Sequence, residues 1–342
     1  MAQTSEPIDY FLEDMAYHGR SDRTRQAYKR VLTQFREFLV DTDRISRNNP
    51  GALANASHRD CLAWIHDRRA ELSDSSIASY ASYLHRFYSY MNQVGEFDEN
   101  PMTLVMEELD ERIATDPNRR DISVDRMADF VRAVGHPLDR AVIVTLLKTG
   151  IRAGEACNLD LRDVNLENVP VSSGPVRAQL EGRPDSLYVS AEPVAGTIVN
   201  GERREASNKR MRDTVIPIDA ELKSALTGWL AIRPNPVSDA NALFLSTDRK
   251  WGTRLTGTEV HHLVTRNARK RGWYNDGAGA GENVTPHYFR HFFTTHLRDR
   301  TGDRGIVKYL RGDVASDIID TYTHNWGDRV RKVYETHIYS LL

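Results

Sequence analysis

Two segments centred on arginines carry side chains whose types and spacing suit chemistry on an anion. In Thr149-Gly150-Ile151-Arg152-Ala153-Gly154-Glu155-Ala156 an arginine follows a helix-ending glycine and opens another helix. A cation at a helix start opposes the helix dipole, so an anionic ligand is one reason for its presence. A plain surface ion pair with Glu155, three residues on, is the other. In Thr285-Pro286-His287-Tyr288-Phe289-Arg290-His291, Pro286 suits a first helical turn, and the i, i+3 spacing puts His287 and Arg290 on one face. Guanidinium and imidazole near a helix N-terminus make an anion site with a proton-transfer group. Tyr322, in Asp320-Thr321-Tyr322-Thr323-His324-Asn325-Trp326, stands in polar surroundings and by itself signifies nothing, since most tyrosines are amphipathic core or surface residues. His291, His296, His261 and His262 read as packing or surface residues, because no carboxylate is spaced to complete a zinc motif; no metal is expected.

Net charge is −2, which at first argues against a nucleic-acid partner, but the average hides a polarity. Residues 1–110 hold 12 Lys/Arg against 18 Asp/Glu, leaving 34 against 30 downstream. The downstream cations are clumped: Arg203, Arg204, Lys209, Arg210 and Arg212; then Arg266, Arg269, Lys270 and Arg271; then Arg298, Arg300 and Arg304. Such clumps either track phosphates or are solvated helix faces. Two distant cysteines, Cys61 and Cys157, exclude a disulfide framework and a cysteine zinc site and point to a reducing compartment. The acidic start lacks a signal-peptide pattern, and the longest apolar run, 141–147, is far short of a membrane span. A soluble, cytoplasmic protein is expected.

A chain of 342 residues is too long for one average domain, and the elements that must position these groups fall into two sets. Residues 1–113 read as helices. Ala27, Val31, Phe35, Phe38 and Leu39 share a face between Asp22 and Val40. The stretch from His58 to Leu72 is helical with Leu62, Ile65 and Leu72 inward. Ser73 or Asp74 caps a helix whose Ile77, Tyr80, Leu84, Phe87, Tyr88 and Met91 make a core stripe. A polar linker is expected at 114–121. Beyond it, 124–134 and 138–147 read as helices, the second stopped by Gly150. The stretch from Asn165 to Pro217 turns to Val, Thr, Gly and Pro, with strands at Ser186 to Ser190 and Thr214 to Ile218. Helices return from Asp219 onward, interrupted by the Gly277 to Gly281 run, too permissive to be ordered by itself. The fold class is mainly α with a small antiparallel β-sheet (α+β). In the tail, Val330, Val333, Tyr334, Ile338 and Leu341 fall on one face that needs a groove.

Taken in order, these pieces resemble the tyrosine recombinase (phage integrase and Xer-like) family. That family runs T-G-L-R-x-x-E-L, a hairpin lysine ahead of a V-P dipeptide, H-x-L-R-H-x-x-A-T-x-L, L-G-H, and a Y-x-H segment. The matching pieces are Arg152 with Glu155; Lys209, eight residues before Pro217; His287 with Arg290; and Tyr322 with His324. The resemblance implies a helical, SAM-like core-binding domain at 1–113 and a catalytic domain at 122–342, clamping double-stranded DNA. It implies that Arg152 and Arg290 hold the scissile phosphate, Tyr322 attacks to form a 3′-phosphotyrosyl link, His287 assists proton transfer and Lys209 protonates the departing 5′-oxygen, with no cofactor. It further implies a homo-oligomer on DNA, a tetramer in the synaptic complex, with the tail docked on a neighbouring subunit. Arg203, Arg204, Arg210, Arg266, Lys270 and Arg271 are the candidate backbone-tracking cations.

Two departures stand out. The segment 165–206 is longer than the usual hairpin region, so Lys223 or Arg210 competes with Lys209. In Leu310-Arg311-Gly312-Asp313 the usual histidine is Asp313, and a carboxylate cannot donate to a phosphate unless protonated. Either another group such as Arg311 supplies that donor, or the site works without it, with Asp313 organising it through hydrogen bonds. A catalytically silent DNA-binding relative and a type IB topoisomerase-like enzyme are the alternative readings.

Overall fold

The computed structural model describes residues 6–40, 53–112, 119–171, 174–313 and 326–342, with side chains in the last segment from 329. The chain divides into two compact units, Met1–Pro117 and Asn118–Leu342.

The first unit is helical: α1 (Pro7–Tyr17), α2 (Asp22–Val40), α3 (His58–Arg68), α4 (Asp74–Gln93) and α5 (Met102–Glu108). Its core is aromatic. Phe11 meets Phe87 edge-on at 5.4 Å, and Phe35 meets Trp64 in the same way at 5.4 Å. The stripe on α4 is therefore packing surface, with Ile77, Leu84, Phe87, Tyr88 and Met91 buried and Tyr80 stacked on Trp64. On α3 the inward residues are Cys61, Trp64 and Ile65, whereas Leu62 is only partly covered, as is Leu72, which lies beyond the end of the helix at Arg68. A capping box fixes the phase of that helix: Ser57 accepts from the Asp60 amide and the Asp60 side chain accepts from the Ser57 amide.

The second unit is built around a buried helix. α6 (Val124–Arg132) leads to α7 (Pro137–Thr149), in which every residue from Ala141 to Thr149 is buried. A helix buried on all sides cannot lie on a surface, so the rest of the unit wraps it. α8 (Ala153–Asn158) follows, and then a three-stranded antiparallel sheet, β1 (Val164–Asn165), β2 (Ser186–Val189) and β5 (Thr214–Pro217), in the order β1-β2-β5. The long insert before β5 carries its own two-stranded ribbon, β3 (Ile198–Val199) with β4 (Glu202–Arg203). The remaining helices are α9 (Ala220–Leu230), α10 (Gly257–Arg269), α11 (Pro286–Thr301), α12 (Arg304–Arg311) and α13 (Trp326–His337). The glycine run before α11 is held from outside: Gly281 accepts from the Arg120 amide, and the Asn283 side chain bonds Asn275 and Ala278.

The tail corrects an expectation. Instead of reaching for a neighbouring subunit, it packs on its own unit: Val330, Tyr334, Tyr339 and Leu341 join the core around α7, while Val333 and Ile338 are partly covered. Polar anchors hold it there. Arg331 donates to the Pro184 and Asp185 carbonyls and to Ser186 Oγ at the start of β2. The fully buried Lys148 ammonium lies 2.7 Å from Asp219 Oδ2, 2.6 Å from Glu221 Oε2 and 2.5 Å from the Tyr339 carbonyl. A buried cation without such partners would be prohibitive, and the tail supplies one of the three.

Cys61 and Cys157 are buried free thiols. Among the described residues no helix is long and apolar enough to cross a membrane.

Candidate functional site

The site begins where α7 ends. Gly150 takes a left-handed φ of 63°, and a Cβ there would lie 2.3 Å from the Phe293 ring, so only glycine fits the turn. The turn buries Ile151 and leaves Arg152 as N-cap of α8. Glu155, with no exposure, accepts from the Arg152 amide at 2.9 Å and from Arg152 Nη1 at 3.0 Å. The pair is therefore no surface ion pair. Its buried carboxylate fixes which way the guanidinium points.

Arg290 comes from α11, whose first turn is set by Thr285 and Pro286. It is almost entirely buried and donates to the Gly150 carbonyl (2.7 Å), the Arg311 carbonyl (3.1 Å) and Asp313 Oδ1 (2.6 Å). Burial, opposed by Asp313 and reinforced by Arg152 and Arg311, lowers its pKa to about 10, still charged near neutral pH. Asp313 follows Gly312, the left-handed C-cap of α12 at φ 71°. A Cβ at Gly312 would lie 2.9 Å from the Arg210 guanidinium.

The Asp313 carboxylate is the hub. Oδ1 receives Arg152 Nη2 at 3.0 Å and Arg290 Nη2 at 2.6 Å, and Oδ2 receives Arg311 Nη2 at 2.8 Å. Three guanidiniums thus converge on two oxygens. His287 stands at the exposed side of this cluster. Its pKa is lowered by partial desolvation and then by the field of Arg119, Arg290, Arg152 and Arg311, so its imidazole is neutral at pH 7.

Of the candidate site residues, Arg152, Glu155, His287, Arg290 and Asp313 come together. Lys209 is exposed on the loop leading into β5 and bonds none of them. Tyr322 and His324 lie outside the described residues.

Two of the candidate backbone-tracking cations need correcting. Arg204 is buried and donates twice to Asp160, at 2.8 and 3.0 Å, in a network with Arg254. Arg210 is buried behind the site, with Nη2 donating to the Leu310 carbonyl and Nε 3.4 Å from Glu155 Oε2. Neither guanidinium reaches the surface, because each neutralises a buried carboxylate. In the structure Asn208, Lys209, Arg210 and Met211 alternate buried and exposed, which separates Lys209 from Arg210, but the residue types themselves carry no such alternation. Arg203 and Lys270 are exposed. Arg266 pairs with Asp139 at 2.8 Å, and Arg271 donates to the Asp129 carbonyl. Sequence reasoning passed over Lys148 and Arg254, whose charge partners are distant in the chain. Among the described residues no group of three His, Cys, Asp or Glu could hold a metal ion.

The sequence pattern of the phage integrase family matches residues 123–328, and that of the phage integrase N-terminal SAM-like domain matches residues 8–95. The chain belongs to the phage integrase family, the class of site-specific tyrosine recombinases. It is 26% identical to the tyrosine recombinase XerC of Pelotomaculum thermopropionicum, over 96% of each chain. It is 24% identical to the tyrosine recombinase XerA of Pyrococcus furiosus, over 97% of this chain and 93% of that one. Among solved structures, the Tn1549 transposon integrase in complex with transposon right end DNA superposes with a TM-score of 0.62 at 19% identity, over 97% of this chain and 99% of that one. A lambda integrase dimer bound to a COC′ core site gives 0.61 at 15% identity, over 91% of this chain and 95% of that one. These two likenesses bear on the fold.

Proposed function

We propose that the chain cleaves and rejoins double-stranded DNA at specific sites through a 3′-phosphotyrosyl intermediate. The observation that carries this reading is the convergence of Arg152 and Arg290 on one oxygen, Asp313 Oδ1. A phosphodiester offers no strong electrophilic handle, so catalysis comes from in-line positioning and from neutralising charge on the non-bridging oxygens. Two forked guanidiniums aimed at one point do this, and their backing by Glu155 and the Gly150 carbonyl preorganises them.

In this reading Tyr322 attacks phosphorus and the 5′-oxygen leaves. The phosphotyrosyl bond conserves the energy of the broken diester, so rejoining is the reverse attack. The neutral imidazole of His287 accepts or relays the nucleophile's proton, and Lys209 donates to the departing oxygen. Residues 1–113 and 122–342 act as two DNA-clamping domains joined by the 114–121 linker, and four protomers assemble at paired sites. The likeness over nearly the whole chain to named tyrosine recombinases supports the chemistry.

The test is covalent capture. Wild-type protein on a nicked site should form an adduct that survives denaturation, and Tyr322→Phe should bind the same DNA without one. An adduct that persists in Tyr322→Phe, or disappears only in Tyr334→Phe, overturns the assignment. Tyr334 is buried in the core, its hydroxyl bonded to the Lys148 carbonyl.

A further inference from the structure

The Asp313 carboxylate sits at the focus of the arginine cluster. A carboxylate and a phosphodiester are both monoanions that present two acceptor oxygens, and a guanidinium fork binds either one. Arg311 shares this focus with Arg152 and Arg290: it holds Asp313 Oδ2 at 2.8 Å, its side chain is 29% exposed, and its Nε is a buried donor without a hydrogen-bond partner among the described residues. Its backbone is fixed as well, because Arg290 Nη1 donates to the Arg311 carbonyl at 3.1 Å. At the focus three cations therefore meet one carboxylate, with Glu155 behind Arg152 as a second, buried anion.

We propose that Asp313 is an internal stand-in for the scissile phosphate, and that Arg311 is a third phosphate-binding residue beside Arg152 and Arg290. This rests on the phosphoryl-transfer reading above and deepens it. An incoming phosphodiester takes the place of Asp313 Oδ1 on Arg152 and Arg290, and the three guanidiniums then share two monoanions, the phosphate and the displaced carboxylate. Arg311, with five N–H donors, keeps Asp313 on one edge and meets a non-bridging phosphate oxygen with another. It thereby supplies the donor that a carboxylate at this position does not offer. The stand-in has two consequences. It holds the guanidiniums convergent before DNA arrives, and it competes with any free anion by the fraction of time it occupies the focus.

The experiment has two arms, both on the full-length protein. In the first, inorganic phosphate binding to DNA-free protein is followed by phosphorus NMR and by thermal stabilisation. Asp313→Asn should bind phosphate about tenfold more tightly than wild type, because the internal competitor is gone. Adding Arg311→Gln should abolish the gain. Equal or weaker binding by Asp313→Asn overturns the stand-in, and an undiminished gain in the double variant overturns Arg311 as a ligand. The second arm measures cleavage of a nicked site carrying either a normal diester or a neutral methylphosphonate at the scissile position. Arg311→Gln should be slower by about tenfold to a hundredfold on the diester. The deficit should largely vanish on the methylphosphonate, where there is less charge to neutralise. An equal deficit on both DNAs makes Arg311 a structural residue and sinks the proposal. Arg311→Lys serves as the second variant should the glutamine fold poorly, with an intermediate diester rate expected. Wild-type protein that binds phosphate but cleaves neither DNA would fault the recombinase reading, and the first arm would still decide the anion site.

Discussion

The Tyr334 hydroxyl donates to the Lys148 carbonyl at 3.0 Å, bonding the last helix of the chain to the last turn of the helix that delivers Gly150 and Arg152. Tyr339 does the same one residue earlier, donating to the Leu147 carbonyl. Carbonyls at a helix C-terminus have no partner within the helix, so the tail completes α7 rather than merely covering it. The position of Arg152 therefore depends on the last dozen residues as well as on its own neighbours.

Tail substitutions should accordingly report on stability before they report on assembly. Tyr334→Phe should cost about 1 kcal/mol, the usual net value of one buried hydrogen bond. Tyr339→Ala should cost about 3–5 kcal/mol, because it also leaves a cavity beside Lys148. Urea unfolding followed by circular dichroism checks both values. The midpoints should not change with protein concentration, since the tail is docked in cis. A midpoint that rises with concentration would instead indicate docking between subunits.

The cis packing of the tail was not legible in the sequence for a physical reason. Periodicity identifies an apolar face on Val330, Tyr334 and Leu341 but carries no information on which copy supplies the groove. In the structure the tail's Tyr339 carbonyl meets Lys148 of its own chain, a buried cation whose partners Asp219, Glu221 and Tyr339 are far from it in sequence. The same limit explains Arg204 and Arg210, which look like surface cations until Asp160 and Glu155 are seen beside them. What was legible is what depends on local stereochemistry. The glycine stop at Gly150, the Pro286 helix start, the strand pair Ser186–Val189 with Thr214–Pro217, and the Arg152–Glu155 pairing all follow from neighbours a few residues away. The ordered spacing of the arginine, histidine and tyrosine motifs carried the family. The meeting of three arginines on Asp313 required the fold.

Arg290→Lys should lose most cleavage even though it conserves formal charge. Arg290 spends donors on two backbone carbonyls and still reaches the anion focus, which a single ammonium cannot match. Burial would also push a lysine here toward its neutral form. Arg152→Lys should fail for the first reason alone, since it is more exposed. Losses of about tenfold to a thousandfold are expected, equivalent to roughly 1.4–4 kcal/mol of transition-state stabilisation. Single-turnover cleavage at saturating protein measures this, and near-wild-type rates in either variant would remove that arginine from the clamp.

The histidine makes a pH prediction. With its pKa held below the ordinary 6.5 by desolvation and by the arginine field, His287 is neutral above that value and becomes cationic only in more acidic solution. The profile of kcat/KM for adduct formation, which reports groups of the free protein, should be flat across pH 6.5 to 8 and fall as pH drops below that range. His287→Gln should lower the plateau and remove the acid limb. If the limb stays in the variant, it belongs to another group and His287 is not the proton-transfer residue.

Salt dependence separates the cations that face solvent from those the fold has already used. Each phosphate contact contributes about 0.9 to the slope of log affinity against log salt. Arg203 and Lys270 are exposed, so replacing both with glutamine should flatten the slope by up to about twice that amount. Arg266 is partly committed to Asp139 and should contribute less. Arg204→Gln is the control: its guanidinium is spent on Asp160 at 2.8 Å, and that side chain is 2% exposed. The substitution should leave the slope unchanged and lower the unfolding midpoint, because Asp160 loses one of its buried partners. Binding isotherms on one DNA site from about 50 to 200 mM salt span the range in which such contacts show. A flatter slope in Arg204→Gln with intact stability would mean that the buried network opens on DNA and that its arginine does reach the backbone.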